Sequence, residues 1–158
     1  VGSEMCIRDS AWTTLFFGFI LYFSDQSKTK KNISKNLNLK SIIFIGIFQI
    51  LALIPGVSRA GITITAARFL NYNRVDSTKI SFLLSIPALI GASSLGITDA
   101  LKETLEISYL SIIAIVLSFL FSFITVKYFL KYVNNFSLNI FVIYRVFLGI
   151  ILLLIIYL

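Results

Sequence analysis

Residues 80–97, 108–126 and 138–158 are three apolar runs, each near the roughly 20 residues that carry a helix across a bilayer. Short polar segments separate them. None alternates with the two-residue period of a barrel strand. Two further apolar stretches, 11–24 and 41–70, come earlier in the chain. With 58% hydrophobic and 13% charged residues over 158 positions, the chain has too few charges to cover a water-facing surface. The pattern therefore reads as an all-α, polytopic helical membrane protein, with residues 11–158 forming a single membrane domain.

The first ten residues, VGSEMCIRDS, read as neither a signal peptide nor a membrane span. They look like a non-native leader of the kind translated from adapter sequence. The 14 apolar residues at 11–24 then read as a partial span, and the chain as N-terminally truncated. Cys6 is the lone cysteine and there is no histidine, so the chain holds no internal disulfide and no Cys/His metal set. The net charge of +7 comes from basic residues clustered between the apolar runs. That is the positive-inside pattern of membrane topology and argues against a nucleic-acid face.

Loop charge orients the spans. Lys28, Lys30, Lys31, Lys35 and Lys40 mark residues 25–40 as cytoplasmic, and Arg74 and Lys79 mark the polar stretch 71–79 in the same way. Asp99, Glu103 and Glu106 mark 98–107 as an external, solvated loop, and Lys127 and Lys131 return the chain to the cytoplasmic side. Residues 41–70 therefore begin and end on one side. Residues 58–70 would extend only about 20 Å as helix, well short of a crossing. Segment 41–70 thus reads as a re-entrant helical hairpin that turns at Pro55-Gly56. Non-helical backbone at membrane depth survives only where it is buried in protein or lines a wet cavity, so the tip should line a cavity.

The tip, IPGVSRAGITI at 54–64, carries the polar chemistry. Ser58 is an N-cap for the second arm. The first amides of that arm have no internal partners and carry partial positive charge. Arg59 adds a full charge and a planar fork of donors suited to phosphate. Gly56 and Gly61 permit close approach of backbone or ligand. Thr63 follows Arg59 by four residues and shares its face. The pattern is that of an anion site at membrane depth.

Other features read as structural. Arg145, in FVIYRVFLGI, should snorkel toward the cytoplasmic interface. Arg68 should place its charge at the C-terminal end of the second arm, where the dipole favours it. Ala88, Ala92 and Gly96 recur every four residues as a small-residue packing face, and Pro87 should kink the same span.

FQILALIPGVSRAGITI (48–64), SFLLSIPALIGASSLG (81–96) and FVIYRVFLGI (141–150) together resemble the C-terminal half of undecaprenyl pyrophosphate phosphatases of the bacitracin-resistance type, whose pattern is P-G-x-S-R-S-G-x-T. The resemblance covers nearly all of the chain from about residue 40. It implies one half of an inverted repeat, with broken helices meeting near the midplane. It also implies hydrolysis of the lipid pyrophosphate to the monophosphate and phosphate in the bacterial inner membrane, recycling the cell-wall lipid carrier. Arg59 and Ser58 fall on catalytic positions of that motif, and Gly56, Gly61 and Thr63 on pyrophosphate-binding ones. Ala60 departs from the serine usual there. The resemblance further implies a divalent cation, magnesium or calcium, whose ligands belong to an E-x-x-x-E pair and a P-V-S-S-T-G-H loop that this sequence lacks. The expected partners are a polyprenyl pyrophosphate lipid and the bilayer, with pairing into a homodimer as a further expectation. This polypeptide alone should be inactive or nearly so. The rival function class is a membrane transporter or flippase for phosphate or an anionic lipid, and a second rival is a purely structural hairpin.

Overall fold

The computed structural model describes residues 2–29, 31–100 and 109–157. Among them the chain is helical, in seven α-helices: α1 (Gly2–Asp25), α2 (Ile33–Asn36), α3 (Leu39–Ile50), α4 (Arg59–Phe69), α5 (Arg74–Ala100), α6 (Tyr109–Asn135) and α7 (Asn139–Tyr157). A single 3-10 turn, Leu51–Leu53, extends α3. Three helices are long and apolar enough to cross a membrane: Arg74–Ile97, Tyr109–Asn135 and Asn139–Tyr157. The apolar window of α6 is exposed throughout, as a lipid-facing helix would be.

Local rules explain most helix boundaries. Asn38 caps α3 by accepting from Ser41 N at 2.8 Å. Asn73 caps α5 by accepting from Asp76 N at 2.7 Å, and Asp76 in turn accepts from the Asn73 side chain at 2.8 Å and from Ile33 N at 2.9 Å. That reciprocal cap starts α5 at Arg74 and places Arg74, Asp76 and Lys79 on helix, where residues 71–79 read as a loop from sequence. At the other end α6 continues through Lys127 and Lys131 to Asn135, past the expected end at residue 126. Residues 98–100 close α5, and Glu103 and Glu106 lie outside the described residues. α5 runs unbroken through Pro87.

Residues 2–10, set aside on sequence grounds, continue into 11–25 as one helix. α1 lies along α7 and also touches α4. α4 is the centre of the molecule, packed against α1, α3 and α5, and buried continuously from Gly61 to Arg68. One apolar cluster joins Leu21 of α1, Ile64 of α4, Val133 of α6, Leu138 of the link that follows it and Val142 of α7. A second joins Ile45, Ala66, Ala67, Tyr72 and Ile80. Where lipid surrounds such helices, packing and polar contacts between them carry the specificity, because lipid is as apolar as leucine. Of the packing face expected at 88–96, Ala88 is half-buried and Ala92 and Gly96 are exposed, and a Cβ at Gly96 would meet open space among the described residues.

α3, its 3-10 extension and α4 form the hairpin expected at 41–70, with the two arms in contact. Its two ends come together. Lys31 N donates to Asn71 O at 3.0 Å and Asn73 N to Lys31 O at 3.2 Å, an isolated bridge that ties the lysine-rich segment to the chain leaving α4. Asn71 makes the exit by taking a φ of 67°, a left-handed conformation that asparagine tolerates. At 11 residues, α4 extends only about 16 Å, too short to cross a bilayer.

Candidate anion-binding site

The hairpin tip is a tight turn followed by a capped helix. Val57 N donates to Ile54 O at 3.1 Å across Pro55 and Gly56, and Gly56 has a φ of +87°. Proline second and a left-handed glycine third is the residue order of a type II turn. Ser58, extended at φ −71° and ψ 125°, accepts from Gly61 N at 3.1 Å and so caps α4.

The turn is held from α1. Thr13 Oγ1 donates to Pro55 O at 2.6 Å, and Thr14 Oγ1 donates to Gly56 O at 3.1 Å. Two adjacent turn carbonyls thus find donors 42 positions back in the chain. The sequence signal was a pair of threonines inside an apolar run, and its meaning depends on the fold.

The residues expected at the site divide into two groups. Gly56 and Ser58 line a cavity of about 460 Å3 with Thr14, Tyr144 and Arg145. Ser58 and Gly61 line an adjoining, mainly apolar cavity of about 180 Å3, again with Arg145. Arg59 and Thr63 line neither. Arg59 opens α4 half-buried. Thr63 is buried: its hydroxyl lies 2.9 Å from Arg59 O, to which it donates, and 2.7 Å from Ser81 Oγ of α5. It fastens the first turn of α4 from behind instead of facing a ligand.

Arg145 overturns the expectation of a snorkelling side chain. Its stem passes Gly18 of α1, and its guanidinium lies across the first turn of α4. A Cβ at Gly61 would stand 2.8 Å from Nη2 and 3.1 Å from Cζ. Gly61 is thus required where this head group approaches, a close approach that glycine alone allows.

Arg68 also differs from its expected dipole role. It is 2% exposed and central to a network at the hairpin base. It donates to Asp25 O and Tyr72 O at 2.7 Å, to Ser27 O at 2.8 Å and to Thr29 Oγ1 at 3.2 Å. Its Nε lies 3.6 Å from the Asp25 carboxylate, which Arg74 grips at 2.7 and 2.9 Å. Burial pushes the Arg68 guanidinium below its ordinary value, Asp25 opposes that, and Arg74 adds to it. These side chains line a polar cavity of about 640 Å3 at the opposite end of α4 from the tip.

No group of three or more Asp, Glu, Cys or His residues able to hold a metal ion occurs among the described residues. Asp25, the buried carboxylate, is engaged by two arginines. These residues do not fit a divalent cation, and the tip is cationic.

Replacing Ser58 with alanine removes the acceptor for Gly61 N and is expected to cost about 1 kcal/mol of stability. Urea unfolding of the micelle-bound chain, followed by circular dichroism, measures it. A cost near zero would mean that another group caps α4.

The fold and site define a class: a helical membrane protein with a hairpin whose second arm presents a serine-capped N-terminus to a cavity, with Arg59 half-buried at its first position. Comparison with known proteins makes this specific. The family model described as bacitracin resistance protein BacA matches residues 6–151, and the chain belongs to that family. It is 65% identical over 154 residues to an undecaprenyl-diphosphatase of Pelagibacter ubique (strain HTCC1062), covering 98% of this chain and 60% of that protein. It is 41% identical over 137 residues to one of Elusimicrobium minutum (strain Pei191), covering 87% and 52%. With one of Geotalea daltonii (strain DSM 22248 / JCM 15807 / FRC-32) it shares 44% over 137 residues, 85% and 51% of the two chains. The chain thus spans about half to three-fifths of the length of these relatives.

Proposed function

We propose that this chain supplies the cationic, diphosphate-binding part of an undecaprenyl-diphosphatase of the bacterial plasma membrane. Hydrolysis by such an enzyme adds water across the phosphoanhydride of a polyprenyl pyrophosphate, giving the lipid monophosphate and free phosphate. The observation that carries the reading is the hairpin tip. Ser58 caps an arm whose amino end opens on a cavity, with Arg59 at its first position. The names of the relatives support the same reaction.

Each residue has a physical role in this proposal. The amides of Arg59 and Ala60 receive phosphate oxygens, where the helix N-terminus favours negative charge, while Ser58 holds the Gly61 amide and turns its hydroxyl toward the cavity. Arg59 binds the diphosphate and stabilises the charge that builds on the leaving phosphate. Gly56 holds the turn and Gly61 keeps the approach open, while Thr63 fixes the first turn against α5. Phosphoryl transfer depends on positioning and charge neutralisation, and the described residues supply the cationic side of both. They include no histidine, and no carboxylate lines the cavity at the tip to activate water.

The purified chain in detergent is therefore expected to bind a polyprenyl pyrophosphate and to release little or no phosphate from it. A colorimetric phosphate assay measures the release. Robust turnover would show that catalysis needs nothing beyond these residues. Passage of the lipid across vesicles without any phosphate release, in any longer protein containing this chain, would replace the phosphatase reading with transport.

A further inference from the structure

We propose that Arg145 is a second diphosphate-binding residue, and that it holds the ligand where its charged head joins its apolar chain. The inference rests on the phosphatase reading above and specifies its substrate contact.

The position of the guanidinium is the first argument. Its Nη1, Nη2 and Cζ lie 3.2, 2.8 and 3.1 Å from where a Cβ of Gly61 would stand, so the whole head group covers the first turn of α4. That end of α4 carries partial positive charge. A cation placed there is repelled by the helix, and it sits on an apolar span where charge is already costly. No hydrogen bond or ion pair to this guanidinium occurs among the described residues. An anion between the guanidinium and the α4 amides removes both penalties together. A planar fork suits a phosphate in two-point contact.

The second argument is the shape of the space. Arg145, Ser58 and Phe141 are the three residues common to the two cavities at the tip. The larger cavity adds Thr14, Gly56, Val57, Tyr144 and Leu148, and so places two hydroxyls and the turn backbone beside apolar side chains. The smaller adds Ala60 and Gly61 of the first turn of α4 and the apolar side chains of Leu21, Ile64, Phe129 and Leu138. A charged head in the first and the proximal apolar units of its chain in the second would meet at Arg145. An inorganic phosphate would use only the first. The geometry therefore points to an amphiphile, a prenyl diphosphate, over the free anion.

The test is isothermal titration of the purified chain in detergent with farnesyl diphosphate and, separately, with inorganic pyrophosphate. The unaltered chain is expected to bind farnesyl diphosphate more tightly. Arg145→Gln should weaken both ligands by about tenfold or more, the loss expected for a charge-assisted contact, and Arg145→Lys should recover part of it. Gly61→Ala supplies a variant that keeps its fold. The added methyl meets the mobile end of a side chain, and alanine favours helix over glycine, so thermal stability should hold or rise while affinity falls. Unchanged affinity in both Arg145→Gln and Gly61→Ala, with loss in Arg59→Gln, would overturn this inference and leave the diphosphate reading standing. Equal affinity for the two ligands would overturn the junction assignment. Binding of neither ligand by the unaltered chain would overturn both the inference and the reading beneath it.

Discussion

Asp25→Ala should destabilise the chain by about 3 kcal/mol, the low end of the 3–5 kcal/mol typical when one partner of a buried ion pair is removed. Asp25 is 5% exposed and ends α1. Its carboxylate receives Arg74 Nε at 2.7 Å, Arg74 Nη2 at 2.9 Å and Leu138 N at 3.3 Å, and lies 3.6 Å from Arg68 Nε. One side chain thus ties α1 to α4, α5 and the start of α7. Removing it leaves Arg68, 2% exposed, beside Arg74 with no negative charge between them.

The cost stays at the low end because Arg68 keeps its other acceptors. Three of its four hydrogen bonds go to backbone carbonyls, and the Asp25→Ala change leaves those in place. Arg74→Ala should cost far less, about 1 kcal/mol or below, because its side chain is 37% exposed and water can replace it. Chemical unfolding of both variants in the same detergent gives the comparison. If Arg74→Ala proves as costly as Asp25→Ala, the network acts through the exposed pair, and Arg68 has no need of the carboxylate.

The parts of this molecule that follow local rules were legible in the sequence. Apolar runs at bilayer length placed α5, α6 and α7. Proline then glycine placed the turn at 55–56, and Ser58, a capping residue type at the start of the second arm, placed the cap. What sequence concealed depends on approach between distant segments. Thr13 and Thr14 matter because they reach carbonyls 42 positions away. Asp25 meets Arg74 across 49 positions. Arg145 reads as a snorkelling residue because burial cost alone favours water, and only the glycines at 18 and 61 reveal a path toward α4. Thr63 shows the opposite error. Its spacing from Arg59 was right, but that face of α4 is covered by Ser81. The start of α5 was more accessible: Asn73 with Asp76 three residues on is a helix-start signature, hidden within a polar stretch.

Gly56→Ala should cost about 3 kcal/mol and loosen the tip specifically. Two penalties combine. A φ of +87° is unfavourable for any residue bearing a Cβ, by roughly 1–2 kcal/mol. The new methyl would also collide with Thr13 Oγ1 and with the Ser10 carbonyl, and would stand 2.9 Å from Ser10 Cα. Two of those obstacles are helical backbone, which gives way poorly, and overpacking of this kind costs about 1–3 kcal/mol. Relief requires the turn to leave α1, which breaks the bond from Thr13 to Pro55 O and the bond from Thr14 to Gly56 O. Gly46→Ala provides the contrast. Gly46 lies within α3 with nothing inside 4 Å of its Cβ position, so alanine there should stabilise by about 0.5–1 kcal/mol. Amide hydrogen exchange separates a local from a global effect: in Gly56→Ala, residues 54–58 and the first turn of α4 should lose protection while α6 and the C-terminal half of α7 keep theirs. If stability and exchange at the tip match the unaltered chain, α1 does not hold the turn as described. The cavity beside Ser58 would then owe its shape to α4 and α7 alone.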